Sequence, residues 1–234
     1  MRIVTWNCAG AFRRKWPLLA DLHADLAVIQ ECENPEMAQD EAYREWATEH
    51  AWVGPTKNKG LGVFPRPGLR VTPVELDLGR LELFLPCLVE GEWPLLATWT
   101  RQADSPTFGY IGQLWKLLQA HSAFLKHPAS MVVGDLNSNA RWDLWDRWWN
   151  HSDVVRELAS LGLHSAYHAH HCAPQGGEQA PTFYLQRKLT KPYHIDYAFT
   201  GPQWVVKNVV VGSQERWLQY SDHMPVVVDL VRAG

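Results

Sequence analysis

Short apolar runs recur along this chain, and several of them stop at an acid or an amide. Arg2 to Trp6 alternates and ends at Asn7, and Asp25-Leu-Ala-Val-Ile-Gln30 is a continuous apolar run that ends at Glu31. Ser130-Met-Val-Val133 leads in the same way into Gly134-Asp-Leu-Asn137. Runs of this length, bounded by polar residues, Gly or Pro, read as strands, and the residue that closes a strand sits at the rim of its sheet. Between the first two runs, Trp16, Leu19, Ala20 and His23 carry helical spacing, which makes the opening a strand, helix, strand unit.

Further β-rich segments fall around 51–54, 61–64, 69–76, 81–85 and 94–100, punctuated by Gly and Pro as a sheet meander requires. Helical periodicity runs from Gly109 to Leu125 through Ile111, Leu114, Trp115, Leu118 and Phe124, and again over Ser152 to Leu161 with Ser152 as its cap. Strands are expected over 182–185, 194–199, 205–211 and 225–231. With no repeat, low-complexity tract or long linker, the pattern predicts one domain over residues 1–234. Its simplest architecture is two packed sheets with helices outside.

Composition closes off other classes. At 46% hydrophobic and 20% charged over 234 residues, the chain can bury roughly 70 to 75% of its unfolded surface, which excludes disorder. No uncharged apolar run approaches the ~18 residues of a membrane span, and Met1-Arg2-Ile3-Val4 enters a strand pattern at once, so neither a leader nor an anchor is expected and a cytoplasmic location is. The four cysteines lie far apart, without a Cys-x-x-Cys pair, and read as reduced thiols. A net charge of −3 gives no broad polyanion-binding surface, so any nucleic-acid contact has to be local or metal-mediated.

The strand-end acids and amides are Asn7, Glu31, Asp135, Asn137, Asp196 and Asp222. Their oxygens are hard ligands suited to magnesium or manganese. Two carboxylates about 4 Å apart repel by ~4 kcal/mol at an effective dielectric of 20, so a cation is needed to hold several of them ionised together.

Trp6-Asn7, Gln30-Glu31, Gly134-Asp-Leu-Asn137, His194-Ile-Asp-Tyr197 and Ser221-Asp-His223 occur in an order and at separations that resemble the endonuclease/exonuclease/phosphatase family, of the deoxyribonuclease I and exonuclease III type. The resemblance spans residues 6–223, and five motifs in order carry it where one would not. It implies an α+β fold, a four-layered α/β/β/α sandwich of two mostly antiparallel sheets with outer helices, and a site where the sheets open. It also implies that Glu31 is the principal Mg2+ (or Mn2+) ligand, with Asn7 and Asp222 as further metal or water-shell partners. Asp135 would deprotonate the attacking water and Asn137 would hold that water or a phosphoryl oxygen. His223 would contact the phosphate, oriented by Asp196. One departure stands out: many relatives place a His or Tyr on the strand that here reads Leu95-Leu-Ala-Thr-Trp-Thr100, where it touches the phosphate. This chain offers Trp99 or Thr100 there as the candidate substrate contact; an indole nitrogen only donates, so direct ligation by Trp99 is not expected, and Tyr110 is a substitute in view.

Three other features have two readings each. Trp142, Trp145, Trp148 and Trp149 fall on one helical stripe, which is either a core-facing helix or a wall beside the site on which a base, sugar or acyl group lies. Arg187 and Lys188, in Gln186–Lys191, either line the approach to the phosphate or belong to a solvated loop, and Arg13-Arg14-Lys15 has the same ambiguity. The histidines between His164 and Cys172 form either a zinc site or, as the spacing favours, a polar surface loop.

The function expected is divalent-metal-dependent phosphodiester hydrolysis by in-line attack of water, by a nuclease with DNA as its substrate. The alternatives are a phosphatase or phosphodiesterase for a small or lipid-linked phosphate, and a catalytically silent binding module. No obligate protein partner is evident.

Overall fold

A computed structural model of the chain describes residues 1–103 and 105–234. Strands β1 (Arg2–Asn7), β2 (Leu26–Cys32), β3 (Ala51–Thr56) and β4 (Lys59–Pro65) come first, then β5 (Val71–Pro73), β6 (Phe84–Val89), β7 (Trp93–Trp99) and β8 (Met131–Asp135). The last third carries β9 (His164–Ser165), β10 (Phe183–Tyr184), β11 (Pro192–Tyr193), β12 (Asp196–Thr200), β13 (Trp204–Val211) and β14 (Val226–Arg232). Among them lie the helices α1 (Glu41–Trp46), α2 (Ile111–His121), α3 (His151–Ser160), α4 (Ala166–His171) and α5 (Gln214–Trp217).

Two six-stranded sheets result, in the orders β13-β14-β1-β2-β4-β3 and β5-β6-β7-β8-β12-β9, while β10 and β11 form a separate hairpin. Pairing is antiparallel except for β1 with β2 and β7 with β8. Those two parallel pairs need crossovers, supplied by a 3₁₀ segment (Trp16–Leu22) and by α2.

Side-chain alternation sorts the apolar residues into three layers. Ile3, Val28, Val63, Leu95, Met131, Val133 and Ala198 face the space between the sheets. Val4, Trp6, Ala27 and Ile29 turn the other way and are covered by Leu19, Tyr43 and Trp217. Val132, Tyr197 and Phe199 point outward from the second sheet onto Ile111, Leu114, Leu118, Val154 and Leu158 of α2 and α3. Helix, sheet, sheet and helix are thus each glued to the next, every fully buried Val, Leu or Ile contributing about 1.5 to 3 kcal/mol. This is the expected four-layered α+β sandwich. No helix among the described residues is long and apolar enough to cross a membrane.

Local expectations fail where side chains compete with the backbone. The stretch from Trp142 to Asn150 is a closed loop, not a helix. Asn150 accepts the Leu144 N–H at 2.9 Å through Oδ1 and donates to the Leu144 carbonyl at 2.9 Å through Nδ2, and the Asp143 carboxylate accepts the His151 N–H at 2.9 Å. Such bonds offer the chain an alternative to the helical ladder. The cap of α3 is accordingly Asn150, in a capping box with Asp153, and not Ser152. The segment after Trp16 is 3₁₀ rather than α. The histidine-rich stretch is not a loop either: His164 sits in β9, and 166–171 form α4 on the hidden Ala166 and Tyr167.

Candidate active site

The period of two that builds the inter-sheet core also delivers the site. Asn7 has the parity of Ile3, Asp135 that of Met131 and Val133, and Asp196 that of Ala198, so all three leave their strands toward the gap between the sheets. β8 and β12 pair with Asp196 opposite Asp135. Gly134 is required here: its φ is +149°, and a Cβ would stand 1.9 Å from the Thr98 carbonyl oxygen on β7. Glu31 has the wrong parity. A register shift between Gln30 and Cys32, with Glu31 at φ +63°, turns its side chain to the rim.

The groups meet in one hydrogen-bonded network. Asn7 Nδ2 donates to Asp135 Oδ2 at 3.1 Å and reaches Glu31 Oε1 at 3.4 Å, while its Oδ1 accepts the Ala9 N–H at 3.1 Å. Asp135 Oδ1 accepts the Asn137 N–H at 2.8 Å, and Asn137 Nδ2 bridges Asp135 Oδ2 at 3.1 Å and the Thr100 carbonyl at 2.9 Å. His223 Nδ1 lies 3.0 Å from Asp196 Oδ2, leaving Nε2 to face Asp135 Oδ2 at 4.0 Å. Ser221 ties the last loop to the first strand, donating to the Asn7 carbonyl at 2.7 Å and accepting the His223 N–H at 3.0 Å.

Burial and charge set the protonation states. Desolvation alone would keep the His223 imidazole neutral, but the Asp196 and Asp135 carboxylates outweigh it and push its pKa up to about 9. Asp135, wholly buried and facing Asp196, is raised to about 7 against the opposing pull of His223 and its donors. The result is an imidazolium held by one carboxylate beside a second carboxyl poised near neutrality.

The donor set fits a hard divalent cation. Glu31 and Asp135 share the Asn7 amide, Lys59 reaches Glu31 at 2.9 Å from the solvent side, and the surrounding donors are carboxylate and amide oxygens. Asp135, Asp196 and His223 bring one atom each within 4.8 Å of one another, but the imidazolium already neutralises that cluster. The Cys8 thiol is buried and pushed far above its ordinary pKa, so it offers no soft thiolate. Asp222 is half-buried next to His223 and adds to the field favouring the imidazolium, and its backbone carbonyl accepts the Tyr184 N–H at 2.8 Å.

The remaining candidates are scattered. Trp99 is buried in the inter-sheet core at 3% exposure, and the Thr100 hydroxyl is spent on the Leu136 carbonyl at 2.5 Å. Tyr110 is exposed and lines a cleft with Asn137, Ser138 and Trp142. Trp142 stands beside Tyr193 at 5.1 Å, and Trp145, at 97% exposure, projects freely. Arg187 and Lys188 are exposed at the tip joining β10 to β11. Arg13 pairs with Glu33, and Lys15 donates to the Cys8 and Tyr220 carbonyls at 2.5 and 2.7 Å, both holding the chain after β1 in place. Both ring nitrogens of His168 are engaged, by Ser165 and Glu178 at 2.7 and 2.9 Å.

Two residues of the site had no signal in the sequence beyond a short strand. Thr182 Oγ1 accepts the Ile195 and Asp196 N–H groups at 2.9 and 3.1 Å, fixing the start of β12. The Phe183 ring lies 4.5 Å from that of His223 and closes one side of the imidazole.

No family model and no curated protein matches the sequence, but solved structures do match the fold. A 3′ phosphatase, NExo, from Neisseria bound to a product DNA hairpin superimposes with a TM-score of 0.71 at 21% identity over 99% of both chains. The catalytic domain of Xenopus laevis APE2 gives 0.68 at 16% identity, covering 98% of this chain and 91% of that one. An endonuclease/exonuclease/phosphatase from Beutenbergia cavernae gives 0.63 at 17%, covering 100% and 72%. The two layered sheets with their outer helices thus share the fold of these solved structures, one of which is an endonuclease/exonuclease/phosphatase.

Proposed function

We propose that this chain is a divalent-metal-dependent phosphodiester hydrolase acting on DNA. The observation that carries the reading is the convergence of Asn7, Glu31, Asp135, Asn137, Asp196 and His223, from five separated places in the sequence, into one network at the mouth between the sheets. The DNA hairpin named with the Neisseria phosphatase supports the choice of polymer.

The chain's own groups divide the work. Asp135, raised to about 7, has the proton affinity of a base matched to neutral pH and accepts the proton of an attacking water. Asn137, pinned by the Thr100 carbonyl and Asp135, orients that water through its amide. The His223 imidazolium turns Nε2 toward the pocket and donates to a phosphoryl oxygen, compensating the charge that grows in the transition state. Asp196 holds the ring and keeps it protonated. A magnesium or manganese ion held by Glu31, with Asn7 and Asp222 as further metal or water-shell partners, would supply further charge neutralisation at the phosphate. Tyr110 and Trp142, which share a cleft with Asn137, are assigned to grip the flanking nucleotides, with Trp145, Arg187 and Lys188 as further contacts.

The full exposure of Trp145 and the apolar surface of Leu144 and Trp148 favour one second reading, a lipid-linked or aryl phosphoester resting on that loop. Nicking of supercoiled plasmid with Mg2+ or Mn2+, stopped by EDTA and by Glu31→Gln, tests the first reading. Release of phosphate or phosphocholine without nicking would favour the second, and binding of DNA without turnover of any phosphoester would refute both.

A further inference from the structure

Two cations from different sheets meet over one buried indole at the rim of the site. Lys59 opens β4, and its Nζ lies 2.9 Å from Glu31 Oε2 and 5.5 Å from the centre of the Trp99 ring. Trp99 closes β7 directly opposite Asp135 in the β7–β8 register. Arg101 follows two residues later, its guanidinium carbon 5.2 Å from the same ring. The indole is 3% exposed, while Lys59 and Arg101 are both exposed and keep their charged ends in solvent.

The aromatic face attracts both side chains and restricts where their charged ends can go. It thereby ties two like charges to one ring at the rim of the site, and an anion within reach of either is attracted. Glu31 satisfies Lys59 alone, and a cation held by Glu31 would release that ammonium. What remains is a lysine and an arginine, one from each wall of the mouth, bordering Asp135 and Glu31. They flank the strand end where the Thr100 hydroxyl is spent on the Leu136 carbonyl. A guanidinium supplies a planar pair of N–H donors and an ammonium a compact charge, a combination that matches a tetrahedral oxyanion.

We propose that Lys59 and Arg101, seated on Trp99, form the oxyanion-binding wall of this site and hold the non-bridging oxygens of the substrate phosphate. This rests on the reading of the chain as a phosphoester hydrolase. Trp99 is then a positioning residue that touches no substrate, and the two cations act on ground-state binding.

The test is a 31P NMR titration of inorganic phosphate into the protein in excess Mg2+, with wild type, Lys59→Met, Arg101→Met and Lys59→Arg. Methionine keeps an unbranched apolar cover on the indole, and thermal unfolding of each variant reports whether the fold is retained. The expected result is phosphate affinity about tenfold weaker in each methionine variant and kept within about twofold in Lys59→Arg. For hydrolysis of a phosphodiester, KM should rise by the same factor with kcat changed less than about threefold. Phosphate affinity equal to wild type in both methionine variants overturns the proposal. The two readings fail separately: a wild type that binds phosphate through these residues yet hydrolyses nothing sinks the hydrolase assignment alone. Turnover with a KM indifferent to both substitutions sinks only the wall.

Discussion

Replacing Asp196 by asparagine isolates the electrostatics of the site. The imidazole of His223 is fully buried, a condition that by itself favours its neutral form, and the Asp196 carboxylate, 3.0 Å from Nδ1, is the leading influence against it. Moving the pKa from 6.5 to about 9 corresponds to about 3 kcal/mol of preference for the imidazolium. Because the folded value is raised, this stability is fully present below pH 6.5 and is lost as pH climbs through about 9. In Asp196→Asn the amide keeps a hydrogen bond but not the charge, so His223 should titrate near or below 6.5 and unfolding stability should stop falling across that window. Asp135, whose rise to about 7 owes its second-largest part to Asp196, should move down as well. The assay is 15N-detected NMR titration of the metal-free protein beside urea unfolding at pH 6, 7.5 and 9, with turnover expected to fall roughly 10² to 10⁴-fold. If His223 in the variant still titrates near 9, the carboxylate is not what charges it and the assignment of the imidazolium fails.

Glu31→Gln should abolish turnover and weaken Mn2+ binding in calorimetry while leaving the circular dichroism spectrum and melting temperature within a few degrees of wild type; unchanged Mn2+ affinity would contradict the cation's placement. Trp145→Ala should leave stability untouched, since the ring is 97% exposed, but raise KM for a DNA substrate by the equivalent of ~1 to 3 kcal/mol of stacking. An unchanged KM would mean the loop does not meet the bases. Gly134→Ala should lose roughly 2 kcal/mol or more in urea unfolding, because its Cβ would lie 1.9 Å from the Thr98 carbonyl oxygen; a neutral effect would mean that β7 and β8 can part there without cost.

The packed sheets and the strand-end acids and amides were legible because apolar runs end in polar residues, while the four-layered architecture and the roles within the network followed from the ordered motifs and the resemblance they carry. Asn7, Asp135 and Asp196 sit on the core-facing parity of their strands, so apolar pattern and site share a cause. Glu31 breaks that parity and was found through its place after Gln30 rather than through periodicity; the register shift that turns it is invisible without its partner strand. The tryptophans from 142 to 149 show the opposite failure. Their spacing is helical, but Asp143 and Asn150 satisfy nearby backbone groups first, and propensity yields to local hydrogen bonding. Lys59 could not be found at all, since its meeting with Glu31 and Trp99 depends on β4 in one sheet facing β7 in the other.

The place of β1 in its sheet has a bearing on biosynthesis. It lies between β2 and β14, with Arg2 opposite Asp229 and Thr5 opposite Val226. A ribosome that has released only the first two hundred residues has therefore made a sheet whose innermost strand is bare along one edge. Since loops this long close slowly, that nascent intermediate is where self-association and chaperone capture should concentrate.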